Sequence, residues 1–216
     1  MKVKICGLTR PEDITAVNRC RPDYAGFVFA PGKRRLTPEK ARELRKILLP
    51  EILSAGVFVN SPIKDILSLA QDRIISLIQL HGDEDSAYIL ELKKLLPPSV
   101  PVIKAIRVQS AEDMLRAETF PADYLLFDTY TKGIYGGSGR TFDWSIIPDI
   151  NKPWFLAGGI GFSNIKEAVK TKAFCLDLSS SLETEGKKDP EKIKKIMKII
   201  KDSEKRETIY RINHKE

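Results

Sequence analysis

Eight short apolar runs alternate along the chain with amphipathic stretches of helical period. The apolar runs are Val3–Cys6, Tyr24–Phe29, Ala55–Val59, Leu77–Leu80, Val102–Ile106, Tyr124–Phe127, Trp154–Ala157 and Phe174–Leu178. Most are continuous rather than alternating, which predicts strands covered on both faces. The helical stretches are Pro11–Cys20, the run after Thr37-Pro38-Glu39-Lys40, Ile63–Ala70, Asp83–Leu96, Ser110–Glu118, Ser163–Thr171 and Asp189–Ile200. Thr37-Pro38 and Ser61-Pro62 each offer an N-cap followed by proline at the first helical position. The connection after the sixth strand breaks the rhythm. It is a long glycine-rich loop, Thr129–Thr141, with only a short helical possibility near Asp143–Ile147.

Eight strands, each followed by a crossover, predict an α/β fold: a single (β/α)8 TIM barrel with a parallel eight-stranded core. An open doubly wound sheet would carry fewer strands and a dinucleotide turn after the first, which Cys6-Gly7-Leu8-Thr9 is not. The barrel is expected over residues 1–201, with 202–216 as a polar C-terminal extension.

Composition changes this picture little. The chain has 216 residues, 42% of them hydrophobic, which suits one barrel with a full core. No apolar run approaches the ~20 residues of a membrane span, and the N-terminus enters a strand directly. Neither a membrane nor a leader sequence is therefore expected. Three widely spaced cysteines, Cys6, Cys20 and Cys175, form neither a disulfide framework nor a metal pattern, and they favour a reducing cytoplasm. The net charge of +7 raises nucleic acid as a partner. No basic stripe interleaved with aromatics supports that, and the Lys-rich stretch Lys187 to Lys201 reads as the wet face of a packed helix. No nucleic acid is expected; a basic surface also attracts an anionic small substrate.

Candidate chemistry collects at the carboxyl ends of barrel strands. Cys6 ends the first strand, and Arg34 lies in the loop after the second. His81 follows the fourth, Asp128 the sixth, Gly158-Gly159 the seventh and Ser179-Ser180-Ser181 the eighth, with Asp177 inside the eighth. Free cysteines are most often small buried hydrophobes. At a barrel mouth opposite Asp128, however, Cys6 forms half of a base-and-acid pair. Asp128 has a plainer reading as a helix cap or the partner of a loop cation. A lone histidine such as His81 is usually structural, and Arg34 sits in a Lys33-Arg34-Arg35 charge run. Gly158-Gly159 with Ser180 and Ser181 predicts a phosphate site after strands seven and eight, against the alternative of two ordinary tight turns.

The chain also resembles the phosphoribosylanthranilate isomerase family of tryptophan biosynthesis. The matches run in family order over about residues 2 to 200. They include Lys4-Ile5-Cys6-Gly7-Leu8-Thr9, Gly56-Val57-Phe58-Val59-Asn60, Ile78-Gln79-Leu80-His81-Gly82, Leu126-Phe127-Asp128-Thr129, Gly136-Gly137-Ser138-Gly139-Arg140, Leu156-Ala157-Gly158-Gly159-Ile160 and Asp177-Leu178-Ser179-Ser180. The resemblance implies an Amadori rearrangement without metal or organic cofactor. Cys6 would be the general base and Asp128 the general acid. Arg34 would lie near the anthranilate carboxylate, with His81 and Asp177 also at the substrate. Gly136, Gly137 and Gly139 would help close over it, while Gly158, Gly159, Ser180 and Ser181 would hold its phosphate. The family pattern carries glycine where this chain has Ser181. A monomer or homodimer is expected. The alternatives are a related phosphosugar isomerase of histidine biosynthesis, whose barrels use aspartate at the position of Cys6, and a non-catalytic phospholigand-binding barrel. The two proposed roles make opposite demands. An acid works better if burial raises a carboxyl from ~3.9, and a base works better if cations lower a thiol from ~8.5.

Overall fold

The computed structural model describes residues 1–129 and 141–213. Eight parallel strands close into a barrel in chain order: β1 Lys2–Cys6, β2 Tyr24–Val28, β3 Leu53–Phe58, β4 Leu77–Leu80, β5 Val102–Val108, β6 Tyr124–Thr129, β7 Trp154–Leu156 and β8 Cys175–Leu178. The crossover helices are α1 Pro11–Cys20, α2 Pro38–Ile47, α3 Ile63–Gln71, α4 Ser86–Leu95, α5 Ala111–Ala117, α6 Ile165–Lys170 and α7 Pro190–Asn213. A 3₁₀ turn, Trp144–Ile146, stands in the sixth crossover.

Local chemistry starts several helices at polar residues, but the cap expected of Ser61 on α3 does not form: Pro62 stands at the N-cap, and a proline ring offers the first-turn N–H groups no acceptor. The Lys40 N–H donates to Thr37 Oγ1 at the head of α2, and the Tyr88 N–H donates to Asp85 Oδ1 at the head of α4. Ser110 and Asp113 form a reciprocal capping box on α5. Helix α1 begins differently. Asp13, buried one turn in, draws the N–H groups of Thr9 and Arg10 onto its carboxylate while Pro11 supplies the preset first dihedral.

Period-two alternation divides each strand between two cores. One face packs on the helices, with Ile5, Phe27, Phe58, Phe127 and Ile78 fully buried in that layer. The other face fills the lumen. Tyr24, Ala55, Leu77, Ile103, Leu126, Phe155 and Cys175 form its apolar floor, where the Tyr24 and Phe155 rings meet at 5.6 Å. Higher in the lumen the inward positions turn polar: Lys4 and Cys6 on β1, Gln79 on β4, Asp128 on β6 and Asp177 on β8. Closure sets β1 against β8 with Lys4 paired to Asp177 in register.

The structure moves several expected boundaries. Strands β5 and β6 run further than their apolar cores, pairing Arg107 with Asp128 and Val108 with Thr129. Asp128 therefore lies inside β6 rather than after it. The polar ends of these strands are held by ladder hydrogen bonds that a hydrophobic pattern does not register. After β8 a 3₁₀ turn, Ser180–Leu182, leads into a small antiparallel hairpin, β9 Glu183–Thr184 with β10 Lys187–Lys188. Helix α7 continues past Ile200 to Asn213, so the expected boundary at Lys201 falls within a helix. Gly136, Gly137 and Gly139 lie outside the described residues.

Candidate active site

Cys6 ends β1 facing the lumen, buried at 8% exposure, and Gly7 turns the chain away at once with φ 82°. The N–H groups of Gly7 and Leu8 both donate to the Gly26 carbonyl, which locks this turn against β2. Gly26 itself has no room for a side chain. A Cβ there would stand 2.7 Å from Cys6 Sγ. Glycine at 26 thus lets β1 and β2 approach and makes space for the thiol.

Three cations surround that thiol. Lys4, wholly buried, donates from Nζ to Asp177 Oδ2 and Gln79 Oε1, both at 2.8 Å. Lys188, delivered by the hairpin, donates to Glu183 Oε1 at 2.7 Å and to the Ser179 carbonyl at 2.9 Å. Arg34 lies over Gly7 and grips Glu183 with Nε and Nη2 at 2.8 and 2.9 Å. Burial pushes the Cys6 thiol above its ordinary value, while Lys4 and Lys188 pull it down and Asp177 pushes it up. Burial wins in this arrangement, so the thiol is not a standing thiolate.

Glu183 is the anchor of the mouth. Burial alone would raise its carboxyl, but hydrogen bonds from Arg34 and Lys188 hold it below the usual carboxylate range. Glu183→Gln strands Lys188, whose side chain is 1% exposed, without its counter-charge. Breaking a buried pair in this way costs roughly 3 kcal/mol, readable as a lower urea midpoint. Because the folded carboxyl titrates low, its contribution is present above the unfolded pKa of ~4.3 and fades as pH falls through the folded value. The gap between wild type and variant narrows accordingly below about pH 4. Equal midpoints at pH 7 would show that the cluster adds nothing to stability.

Across the lumen, Asp128 is 4% exposed. Its Oδ1 accepts the Thr129 N–H at 2.7 Å, and its Oδ2 stands 3.2 Å from His81 Nε2. That last pair is close but out of line, so His81 Nε2 remains without an aligned hydrogen bond among the described residues. Gly158, with φ 83°, packs on the same carboxyl; a Cβ there would lie 2.6 Å from Asp128 Oδ1. Gly159 follows at φ 62°. This double-glycine turn faces the Ser180–Leu182 turn, since a Cβ on Gly161 would touch Ser181 Cβ at 3.0 Å. Ser181 is absent from the residues with positive φ. Serine in place of the family's glycine therefore imposes no left-handed strain here.

The buried polar atoms left without a partner among the described residues are informative. Besides Arg45 Nε, Ser54 Oγ and Trp144 Nε1, they are His81 Nε2, Thr129 Oγ1, Asp177 Oδ1 and Ser181 Oγ. These last four lie at one mouth, between Asp128, Lys4 and the two turns after β7 and β8. Orphaned polar groups are rare and costly inside proteins, and convergent ones mark a place for a polar ligand. No cluster of metal-ligating side chains occurs among the described residues.

The structure thus gathers Cys6, Arg34, His81, Asp128, Gly158, Gly159, Asp177, Ser180 and Ser181 at one end of the barrel. Sequence reasoning missed Lys4, Gln79, Glu183 and Lys188. Lys4 and Gln79 carried a signal, as polar residues interrupting runs that otherwise read as buried.

Known proteins share this sequence pattern and fold. Residues 3–199 match the family model described as N-(5′-phosphoribosyl)anthranilate (PRA) isomerase. The chain belongs to the phosphoribosylanthranilate isomerase family. A relative named N-(5′-phosphoribosyl)anthranilate isomerase, from Endomicrobium trichonymphae, is 48% identical over 93% of this chain and 98% of its own. The family's crystal structure from Thermus thermophilus superposes with a TM-score of 0.81 at 31% identity, covering 94% of this chain and 99% of that one. A second, in complex with reduced 1-(o-carboxyphenylamino)-1-deoxyribulose 5-phosphate, gives 0.78 at 32% identity with the same coverage.

Proposed function

We propose that Cys6 and Asp128 divide between them the family's reaction, the isomerisation of N-(5′-phosphoribosyl)anthranilate in tryptophan biosynthesis. The protein is an intramolecular aldose–ketose isomerase, and its product is 1-(2-carboxyphenylamino)-1-deoxyribulose 5-phosphate. The observation that carries the division of labour is that one lumen holds a thiol and a carboxyl on separated strands, both within electrostatic reach of Asp177. A small sugar between them meets a proton donor on one side and a proton acceptor on the other.

Protonated Asp128 gives its proton to the furanose ring oxygen, and the C1′–O bond breaks to leave a Schiff base. The Cys6 thiolate then removes the C2′ proton, forming an enolamine and returning the sulfur to the thiol. Tautomerisation of that enol yields the ketone. The Nη1 edge of Arg34, whose other edge is taken up by Glu183, faces the anthranilate carboxylate. Gly158, Gly159, Ser180 and Ser181 cradle the phosphate, where the Ser181 hydroxyl finds a partner it otherwise lacks. The reading includes closure by Gly136, Gly137 and Gly139. Among the described residues no helix is long and apolar enough to cross a membrane. Three free thiols support the cytoplasm as the compartment.

Generating the substrate in situ and following the loss of its fluorescence tests the activity. Soaking crystals with inorganic phosphate tests the cradle. Density is expected between Gly158-Gly159 and Ser180-Ser181, and density at another strand end would remove that assignment.

A further inference from the structure

A chain of buried polar groups crosses the lumen from β8 to β6: Asp177, Lys4, Gln79, His81, Asp128. We infer that Lys4 and Gln79 are positioning residues that lock the His81 imidazole in the tautomer with its hydrogen on Nε2, so that an N–H is held ready for Asp128. The inference rests on the acid role proposed for Asp128.

The argument runs through donors and acceptors. A lysine ammonium only donates. Lys4 Nζ stands 2.8 Å from one end of the Gln79 amide, so that end is the oxygen. Lys4 is itself pinned at 2.8 Å to Asp177 and fully buried, so it does not swing aside. The NH₂ end of Gln79 therefore faces His81 Nδ1, at 2.8 Å. An amide nitrogen only donates, which makes Nδ1 an acceptor. A neutral imidazole with Nδ1 accepting carries its hydrogen on Nε2. That nitrogen stands 3.2 Å from Asp128 Oδ2 without an aligned hydrogen bond; catalytic hydrogen bonds of a free enzyme commonly tighten only when substrate binds. The other carboxyl oxygen already receives the Thr129 N–H. When Asp128 surrenders its proton, the new negative charge meets one donor on each oxygen. A donor aimed at charge that develops during reaction favours the transition state over the ground state.

The histidine content makes the test clean. The chain has two, His81 and His214, so H214Q leaves a single imidazole in the nitrogen-15 spectrum. At pH 8, where an ordinary imidazole is neutral, the expected long-range proton–nitrogen pattern is that of hydrogen on Nε2. Gln79→Glu keeps the size and still accepts from Lys4, but it offers His81 only an acceptor. The tautomer should invert to Nδ1–H, and kcat should fall by about tenfold or more with KM within about twofold. If Gln79 served stability alone, the glutamate would satisfy Lys4 equally well and leave kcat alone even as the tautomer inverts. An Nδ1–H pattern in wild type, or wild-type kcat in Gln79→Glu, overturns the inference. Absence of isomerase activity in wild type would instead overturn the proposed function, since the spectrum reads the Lys4–Gln79–His81 chain with no substrate present.

Discussion

Cys6→Ala is expected to lower kcat/KM by about 10²–10⁴-fold, the usual worth of a positioned general base, while the barrel stays folded. Alanine fits the site, and Lys4, the thiol's hydrogen-bond partner, stays pinned to Asp177 and Gln79 when the sulfur is removed. The lost activity therefore reports chemistry rather than collapse, which an unchanged circular-dichroism spectrum and a near-native urea midpoint would establish. The variant's residual rate carries further information. With the base gone, what remains depends on Asp128 holding its proton. The fraction in that state can only fall as pH rises, so residual kcat/KM should decline with increasing pH. Turnover near wild type, or a residual rate that climbs with pH, would sink the general-base assignment.

The elements that proved easiest to read are those whose signals are local. Thr37-Pro38 starts α2 by bonding within a single turn, and that cap sits where the residues predict, whereas Ser61-Pro62 leaves α3 without a side-chain cap. The apolar β-runs were equally plain, because strands buried on both faces leave little else for Val, Ile, Leu and Phe to do. Illegible features share the opposite property, being set by closure. Lys4 shows in the sequence as a polar interruption of an apolar run, but its partners do not. Only when β8 pairs with β1 does it face Asp177, and only across the lumen does it meet Gln79, 75 residues away. Glu183 and Lys188 belong to a hairpin of two-residue strands, too short for a periodic signal. Asp128 was read at the right end of the right strand, but its inclusion in the ladder depends on β5, which is itself longer than its apolar core.

The same closure accounts for the tension around Cys6. A lumen position gives the thiol a dry, cation-rich setting, yet dryness raises its pKa more than Lys4 and Lys188 lower it. The enzyme thus keeps its base mostly protonated in the free state. Only the minor, deprotonated fraction of the free enzyme is then ready to take the C2′ proton.

Asp128→Asn separates the acid from the base. Asparagine preserves the shape and still accepts the Thr129 N–H, but it has no proton to give the ring oxygen. Loss of kcat/KM by about 10²–10⁴-fold is expected, with the fold retained. The residual rate now depends on the Cys6 thiolate alone, so it follows that thiol's own titration. Below the thiol's pKa it should rise tenfold per pH unit. Because burial holds that thiol above the ordinary value, the rise should continue past the ~8.5 at which a free cysteine would level off. A plateau at or below pH 8.5 would mean that Lys4 and Lys188 overcome burial. A residual rate that falls with pH would mean that the remaining group acts as an acid, and the roles of Cys6 and Asp128 would have to be exchanged. The two single variants thus carry pH slopes of opposite sign. A shared loss of scaffold, being one defect in both, cannot produce that pattern.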